Sequence, residues 1–101
     1  MAHYSIFMLT PTSEEWVPAY LETVGPLVEK HGGKYLARTM SHSRVEGTGD
    51  SAALMAIVEW PSKTAFDAFY GDPAYAPHLK ARLAGCNGDA FLIEGKDDFA
   101  S

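Results

Sequence analysis

Residues 52–75 read AALMAIVEWPSKTAFDAFYGDPAY, and the rest of the chain arranges itself around them. From Ala53 to Trp60 the run is apolar except for Glu59, in residue types that favour a strand. Pro61 cannot continue that strand, and Ser62 is suited to cap a helix. Ala65, Phe66, Phe69 and Tyr70 then recur at helical spacing, so a helix folds back over the strand until Gly71 stops it. One charge, Glu59, is left beside Trp60 at the end of a buried run.

Working outward toward the N-terminus, the turn residues Glu46 to Asp50 precede this strand, and Lys34 to Met40 reads as its partner. That partner strand can extend to Val45 through a polar bend at residues 41–43. A hairpin centred between Thr48 and Gly49 sets Arg38 opposite Glu59 and Thr39 opposite Val58. Gly32-Gly33 ends a preceding helix in which Trp16, Tyr20, Val24, Leu27 and His31 share one face. Pro18 and the Gly25-Pro26 pair predict a bend in that helix, with a kink near Pro26. Its start carries a capping-box pattern, Thr12 with Glu15 three residues on. His3 to Leu9 is a further strand, closed by Thr10-Pro11.

Toward the C-terminus, Asp72-Pro73 restarts a short helix with Tyr75, Leu79 and Leu83 on one face, and Pro77 is expected to bend or split it. Gly85 to Gly88 reads as a loop and Asp89 to Glu94 as the last strand. Residues 1–95 form one domain, and 96–101 a loose tail unless Phe99 docks.

The order strand, helix, strand, strand, helix, strand predicts an α+β, ferredoxin-like βαββαβ fold, a four-stranded antiparallel sheet with two helices on one face. The strands are more apolar than one covered face requires. Ile6-Phe7-Met8-Leu9 and Leu54-Met55-Ala56-Ile57-Val58 contain no polar alternation, so both faces are expected to be covered. The second cover is another subunit's sheet, which makes the expected assembly a homodimer through the sheet face.

Composition narrows the function classes. The chain has 101 residues, 47% hydrophobic and 21% charged, with a formal charge of −5. An acidic chain whose Lys and Arg are scattered is not built for nucleic acid or for an anionic membrane surface. The single cysteine, Cys86, excludes an internal disulfide and suits a reducing compartment. The first sixteen residues carry no basic leader and no long apolar run, so a cytoplasmic location is expected.

A family resemblance follows from particular runs. These are His31-Gly32-Gly33-Lys34-Tyr35-Leu36-Ala37-Arg38, Val45-Glu46-Gly47, Val58-Glu59-Trp60-Pro61-Ser62, Tyr70, Asp72-Pro73-Ala74-Tyr75 and Ile93-Glu94-Gly95. Together they resemble the domain of unknown function 1330 family, within the dimeric α/β-barrel superfamily. The resemblance spans His3 to about Gly95 and implies a dimer whose two sheets face each other as a barrel. It also implies distant kinship with antibiotic-biosynthesis monooxygenases, chlorite dismutase-like proteins and stress-responsive barrel proteins. The chain departs from the family pattern at Ser41-His42-Ser43 and at Ala76-Pro77-His78, both where a pocket mouth is expected.

Three residues are the candidates for chemistry. Arg38 is expected to bind a substrate carboxylate or enolate, with Glu59 orienting it or acting as a base. The competing reading is a plain cross-strand ion pair that fixes register. His42, in the polar bend after the Arg38 strand, is the histidine placed best to move a proton, against the alternative of an ordinary surface histidine. Trp60, Tyr70 and Tyr75 cluster where strand hands over to helix and are candidates to line a small-molecule pocket, with core packing as the alternative.

No metal site is expected, because His3, His31, His42 and His78 show no ligand spacing. Cys86 lacks an activating neighbour, and no nucleotide-binding glycine motif occurs, so no cofactor is expected. Two functions fit. One is a cofactor-independent enzyme, monooxygenase- or isomerase-like, acting on a small organic molecule. The other is a non-catalytic barrel that binds a small ligand or supports stress tolerance.

Overall fold

A computed structural model describes residues 1–100. Strands β1 (His3–Pro11), β2 (Lys34–Thr39), β3 (Leu54–Trp60) and β4 (Cys86–Glu94) form one sheet in the order β2-β3-β1-β4. Every neighbouring pair is antiparallel. Helix α1 (Val17–Lys30) follows β1, while α2 (Lys63–Tyr70) and α3 (Ala76–Gly85) together fill the second crossover. The fold is the α+β ferredoxin-like one, with its second helical segment divided in two.

Side chains alternate across the sheet, and the two faces meet different surroundings. Ser5, Phe7 and Leu9 of β1 and Ala56, Val58 and Trp60 of β3 are buried under the helices. Tyr4, Ile6, Met8, Met55, Ile57 and Glu59 take the opposite face by register. That face also receives Phe91 and Ile93 of β4, opposite Ile6 and Tyr4. It is apolar but uncovered: Ile57 is 38% exposed, Ile93 46% and Phe91 56%. The missing polar alternation in the sequence is therefore real, and only one of the two faces is covered within the subunit.

Trp60 anchors the covered side. It is fully buried, its ring packs edge-on to Phe66 and at a tilt to Phe69, and its indole N–H donates to Ser5 Oγ at 3.0 Å. A buried indole needs such a partner. Val24, Leu27 and Val28 of α1 close the cluster from above, with Phe69 and Tyr75 at its side. Gly33 is required here, because a Cβ would stand 2.7 Å from Val28 and 2.8 Å from the Trp60 ring.

Several local expectations are corrected. The β2–β3 register pairs Arg38 with Ala56 and Lys34 with Glu59, with an irregularity between Tyr35 and Ala37. Arg38 therefore lies on the helix-covered side and Glu59 on the open side, so the expected Arg38–Glu59 pair does not form. The cause is a longer loop: β2 ends at Thr39 and does not reach Val45, leaving residues 40–53 to wrap back. Arg44 braces that loop by donating to the Gly49 and Asp50 carbonyls and to Ser51 Oγ.

At the head of α1 the capping box is not made. The cap residue is Trp16 without a side-chain cap bond, and the Thr12 and Ser13 amides donate to the Gly85 carbonyl instead. Pro18 falls in the first turn, where a missing N–H costs nothing, and α1 continues through Pro26 without a break. Gly25 has no Cβ to strike the following proline ring, which removes the usual penalty for a helical residue in that position. Pro77 likewise sits in the first turn of α3 and does not split it. Ser62 does cap α2, its Oγ accepting from the Ala65 amide. The loop expected over Gly85 to Gly88 is absent, since β4 begins at Cys86 directly after α3. Phe99 is 97% exposed and does not dock.

Asp72 ties α1 to the α2–α3 junction. Its Oδ2 lies 2.8 Å from His31 Nε2 and accepts from Lys30 Nζ at 3.2 Å, while Oδ1 accepts from the Ala74 amide. The His31 contact above all, then the Ala74 amide, holds the carboxyl down at about 2. A depressed carboxyl stabilises the fold fully above its unfolded value near 3.8 and ceases to do so as pH falls through about 2. Asp72→Asn is thus expected to melt lower than wild type at pH 5. That margin should narrow toward pH 2, read by calorimetry across the range.

Candidate functional site

The covered side of the sheet holds a two-part cleft under α1. The outer part, about 410 Å³, opens between the start of α1 and the β1, β2 and β3 ends, with Trp16, Leu21, Met40, Leu54 and Cys86 among its walls. The inner part is a chamber of about 50 Å³ among Phe7, Val24, Val58, Trp60, Phe69 and Tyr75. Leu9, Tyr20, Leu21, Arg38 and Leu54 line both, so the two parts adjoin. The outer volume falls within the usual range of small-molecule sites, and the walls are mainly apolar.

Few polar groups punctuate these walls. Arg38 stands at the mouth, exposed, with its guanidinium 4.1 Å from the centre of the Tyr35 ring. Burial raises the Tyr35 hydroxyl above the ordinary phenol value, and Arg38 only partly offsets it. Deeper in, the Tyr20 and Tyr75 hydroxyls are 2.8 Å apart. Burial, reinforced by Tyr75, pushes Tyr20 far up, so it is a neutral phenol and a proton donor rather than a base.

Behind the tyrosines lies Arg82, only 4% exposed, 5.5 Å from the centre of the Phe7 ring. Its Nε is buried without a hydrogen-bond partner among the described residues. Burial works against its charge, yet the guanidinium stays protonated, as arginine does throughout the accessible pH range. Among the described residues no carboxylate comes within ion-pair range of it. A buried cation beside a ring face and without a carboxylate is costly to keep, which marks the position as one to explain.

The candidates named from sequence divide among three places. Arg38, Trp60 and Tyr75 line the cleft. Glu59 faces the open side of the sheet in a row with Lys34 and Tyr4. His42 borders a shallow groove of about 500 Å³ formed by the β2–β3 loop with Met8, Met55 and Asp89, on that same open side. Tyr70 stacks on Phe66 and opens onto the surface between α2 and α3. Arg38, Glu59 and His42 thus do not converge, because the true register turns Glu59 and the loop away from Arg38. Cys86 is a strand residue whose thiol is raised by burial, which disfavours the thiolate.

Sequence reasoning passed over Tyr20 as a cleft residue and Arg82 as a buried cation. Tyr20 reads as one more apolar residue on the α1 face. Arg82 reads as an ordinary cation in the last turn of a helix, yet it lies seven residues after Tyr75 and so on the same face. Among the described residues, no three His, Cys, Asp or Glu side chains gather as a metal site, and no helix is long and apolar enough to cross a membrane.

The family described as domain of unknown function DUF1330 matches residues 2–96. The chain belongs to the DUF1330 family. No curated protein matches this DUF1330 chain. Among solved structures, it is similar to a protein of unknown function from Rhodopseudomonas palustris, at 23% identity and TM-score 0.77, covering 95% of this chain and 82% of that one. It is also similar to a dimeric ferredoxin-like protein of unknown function from Jannaschia sp. CCS1, at 17% identity and TM-score 0.69, covering 96% and 100%. A third likeness is to SnoaB, a cofactor-independent oxygenase from Streptomyces nogalater, at 16% identity and TM-score 0.59, covering 99% and 96%. At these identities the likenesses establish the shared fold.

Proposed function

We propose that this DUF1330 protein binds a small, largely apolar organic molecule in the cleft beneath α1, as one half of a homodimer. The observation that carries the reading is the cleft itself, an apolar volume of about 410 Å³ leading to a buried chamber edged by hydroxyls, with Arg38 at its mouth. Arg38 meets a carboxylate or enolate of the ligand there, and Trp60 and Tyr75 form part of the chamber wall. The homodimer is supported by the uncovered apolar face of the sheet and by the dimeric ferredoxin-like protein of the same fold. The single thiol fits a cytoplasmic location.

A catalytic version of this reading is supported by the likeness to SnoaB, which oxygenates without a cofactor. In it, Arg38 stabilises negative charge that develops on an enolate held away from water. Glu59 and His42 lie outside the cleft, so a base for such a reaction is not supplied by either. Binding is therefore the reading the geometry supports better than turnover.

The test is a calorimetric screen of aromatic acids, enols and quinones. A compound present at a hundredfold excess over its Kd should raise the melting temperature by about 10 °C. Leu21→Trp, which fills the cleft from α1, should abolish the rise, and Arg38→Ala should weaken the acids alone. No shift with any compound would remove the binding reading, and oxygen-dependent loss of a bound compound would establish the catalytic one.

A further inference from the structure

One row across the covered face of the sheet reads Arg38, Ala56, Phe7 and Ala90, from β2 to β4. Ala56 is buried, and the residues on its side of β3 are the larger Leu54, Val58 and Trp60. Ala56 and Val24 both border the inner chamber of about 50 Å³ and neither borders the outer part. A β-branched residue at position 56 would suit the strand better and fill that space, and protein interiors are normally close-packed. The gap beside the Arg38 position is therefore one that a short side chain leaves open.

Its size and lining limit what can enter. At roughly 15 to 30 Å³ for each water-sized atom, about 50 Å³ takes two or three non-hydrogen atoms and no ring. Arg38 and Tyr35 meet each other, the guanidinium 4.1 Å from the ring centre. Deeper in the wall, the Trp60 N–H is spent on Ser5 Oγ at 3.0 Å, and the Tyr20 and Tyr75 hydroxyls pair at 2.8 Å. Either tyrosine can be the donor, and their one remaining proton faces walls otherwise made of rings and aliphatic side chains. An apolar cavity stays dry, so an apolar group entering it gains contacts without displacing bound water.

We propose that the inner chamber is a subsite for one short apolar substituent, of methyl to ethyl size, carried by the anionic ligand of the cleft, and that Ala56 sets its depth. The ligand class is a small alkyl-substituted aromatic or conjugated acid. This deepens the cleft-binding reading and rests on it.

The probes are benzoate and its 3- and 4-substituted methyl, ethyl, tert-butyl and hydroxy derivatives, titrated against the full chain by ligand-observed NMR. At one of the two ring positions, methyl should lower Kd about fourfold and ethyl about tenfold relative to benzoate. The tert-butyl compound should bind more weakly than the ethyl one, having too many atoms for the space, and the hydroxy compound more weakly than the methyl one. Ala56→Val, which fills the chamber from the sheet, should bring the ethyl-to-benzoate ratio to about one and melt no lower than wild type. Where that variant does not fold, Val24→Ile fills the chamber from α1 and should remove most of the same preference.

No alkyl gain at either position would overturn the proposal and leave the cleft reading standing. A gain that keeps growing through tert-butyl, a hydroxyl favoured over methyl, or the full alkyl preference kept in whichever filled variant folds would overturn it too. Failure of every probe to bind wild type would also overturn it. The cleft reading falls with it only where the wider screen of acids, enols and quinones is silent as well.

Discussion

Replacing Gly88 by alanine should lower the melting temperature by about 15 °C or more, a loss of roughly 3 kcal/mol or greater. Gly88 sits opposite Leu9 at the start of β4 with φ +149, a conformation that residues with a Cβ rarely adopt. An added Cβ would stand 2.0 Å from the Met8 carbonyl oxygen and 3.0 Å from the Leu9 Cα. Both are backbone atoms of β1, the strand held between β3 and β4, so neither can swing aside as a side chain does. Relief requires the β1–β4 ladder to part near the outer cleft. Gly49→Ala is the matched control, at φ +101 in the β2–β3 loop with nothing within 4 Å of the added atom. It should cost only about 1 kcal/mol of backbone strain. Urea denaturation of both variants reads the difference, and equal losses would show that strain alone, without the clash, accounts for Gly88.

Charging the open face should convert the proposed homodimer to monomer. In Ile57→Asp combined with Phe91→Asp, two apolar side chains of the uncovered face become carboxylates. Neither is part of the buried core, so the subunit should keep its own packing. In a sheet-to-sheet interface each carboxylate would be desolvated without a partner and repeated by the symmetry of the second copy. At about 1 kcal/mol for each of the four carboxylates, two in each copy, the double variant should raise the Kd of the proposed homodimer by about a thousandfold. Sedimentation velocity at micromolar concentration should show wild type at twice the mass of the variant. A monomeric wild type would refute the assembly, and a dimeric variant would move the interface to another surface.

The architecture was legible because it depends on patterns that repeat. Trp60 and Glu59 fall on opposite faces simply because adjacent strand residues do, and the helical spacing of Phe66 and Phe69 placed α2 over Trp60. Register was not legible, since it depends on where a loop closes. Shortening β2 to Thr39 and inserting the irregularity near Leu36 moved Arg38 from Glu59 to Ala56. That shift carried Arg38 to the covered face and dissolved the triad with His42. The deep part of the site was hidden for another reason. A lone arginine near a helix C-terminus suits the helix dipole and is usually solvated, and only the packed structure shows Arg82 buried beside the Phe7 ring.

The two tryptophans of the chain stand one in each part of the cleft. Trp16 borders the outer part, where its indole N–H donates to the Gly85 carbonyl at 3.1 Å, and Trp60 borders the inner chamber, bonded to Ser5. The protein thus carries an intrinsic fluorophore for each compartment. A ligand that fills only the mouth should alter the emission of Trp16, and one that reaches the chamber should quench Trp60 as well. Trp16→Phe isolates the inner signal, so the depth of entry becomes an optical measurement on unlabelled protein.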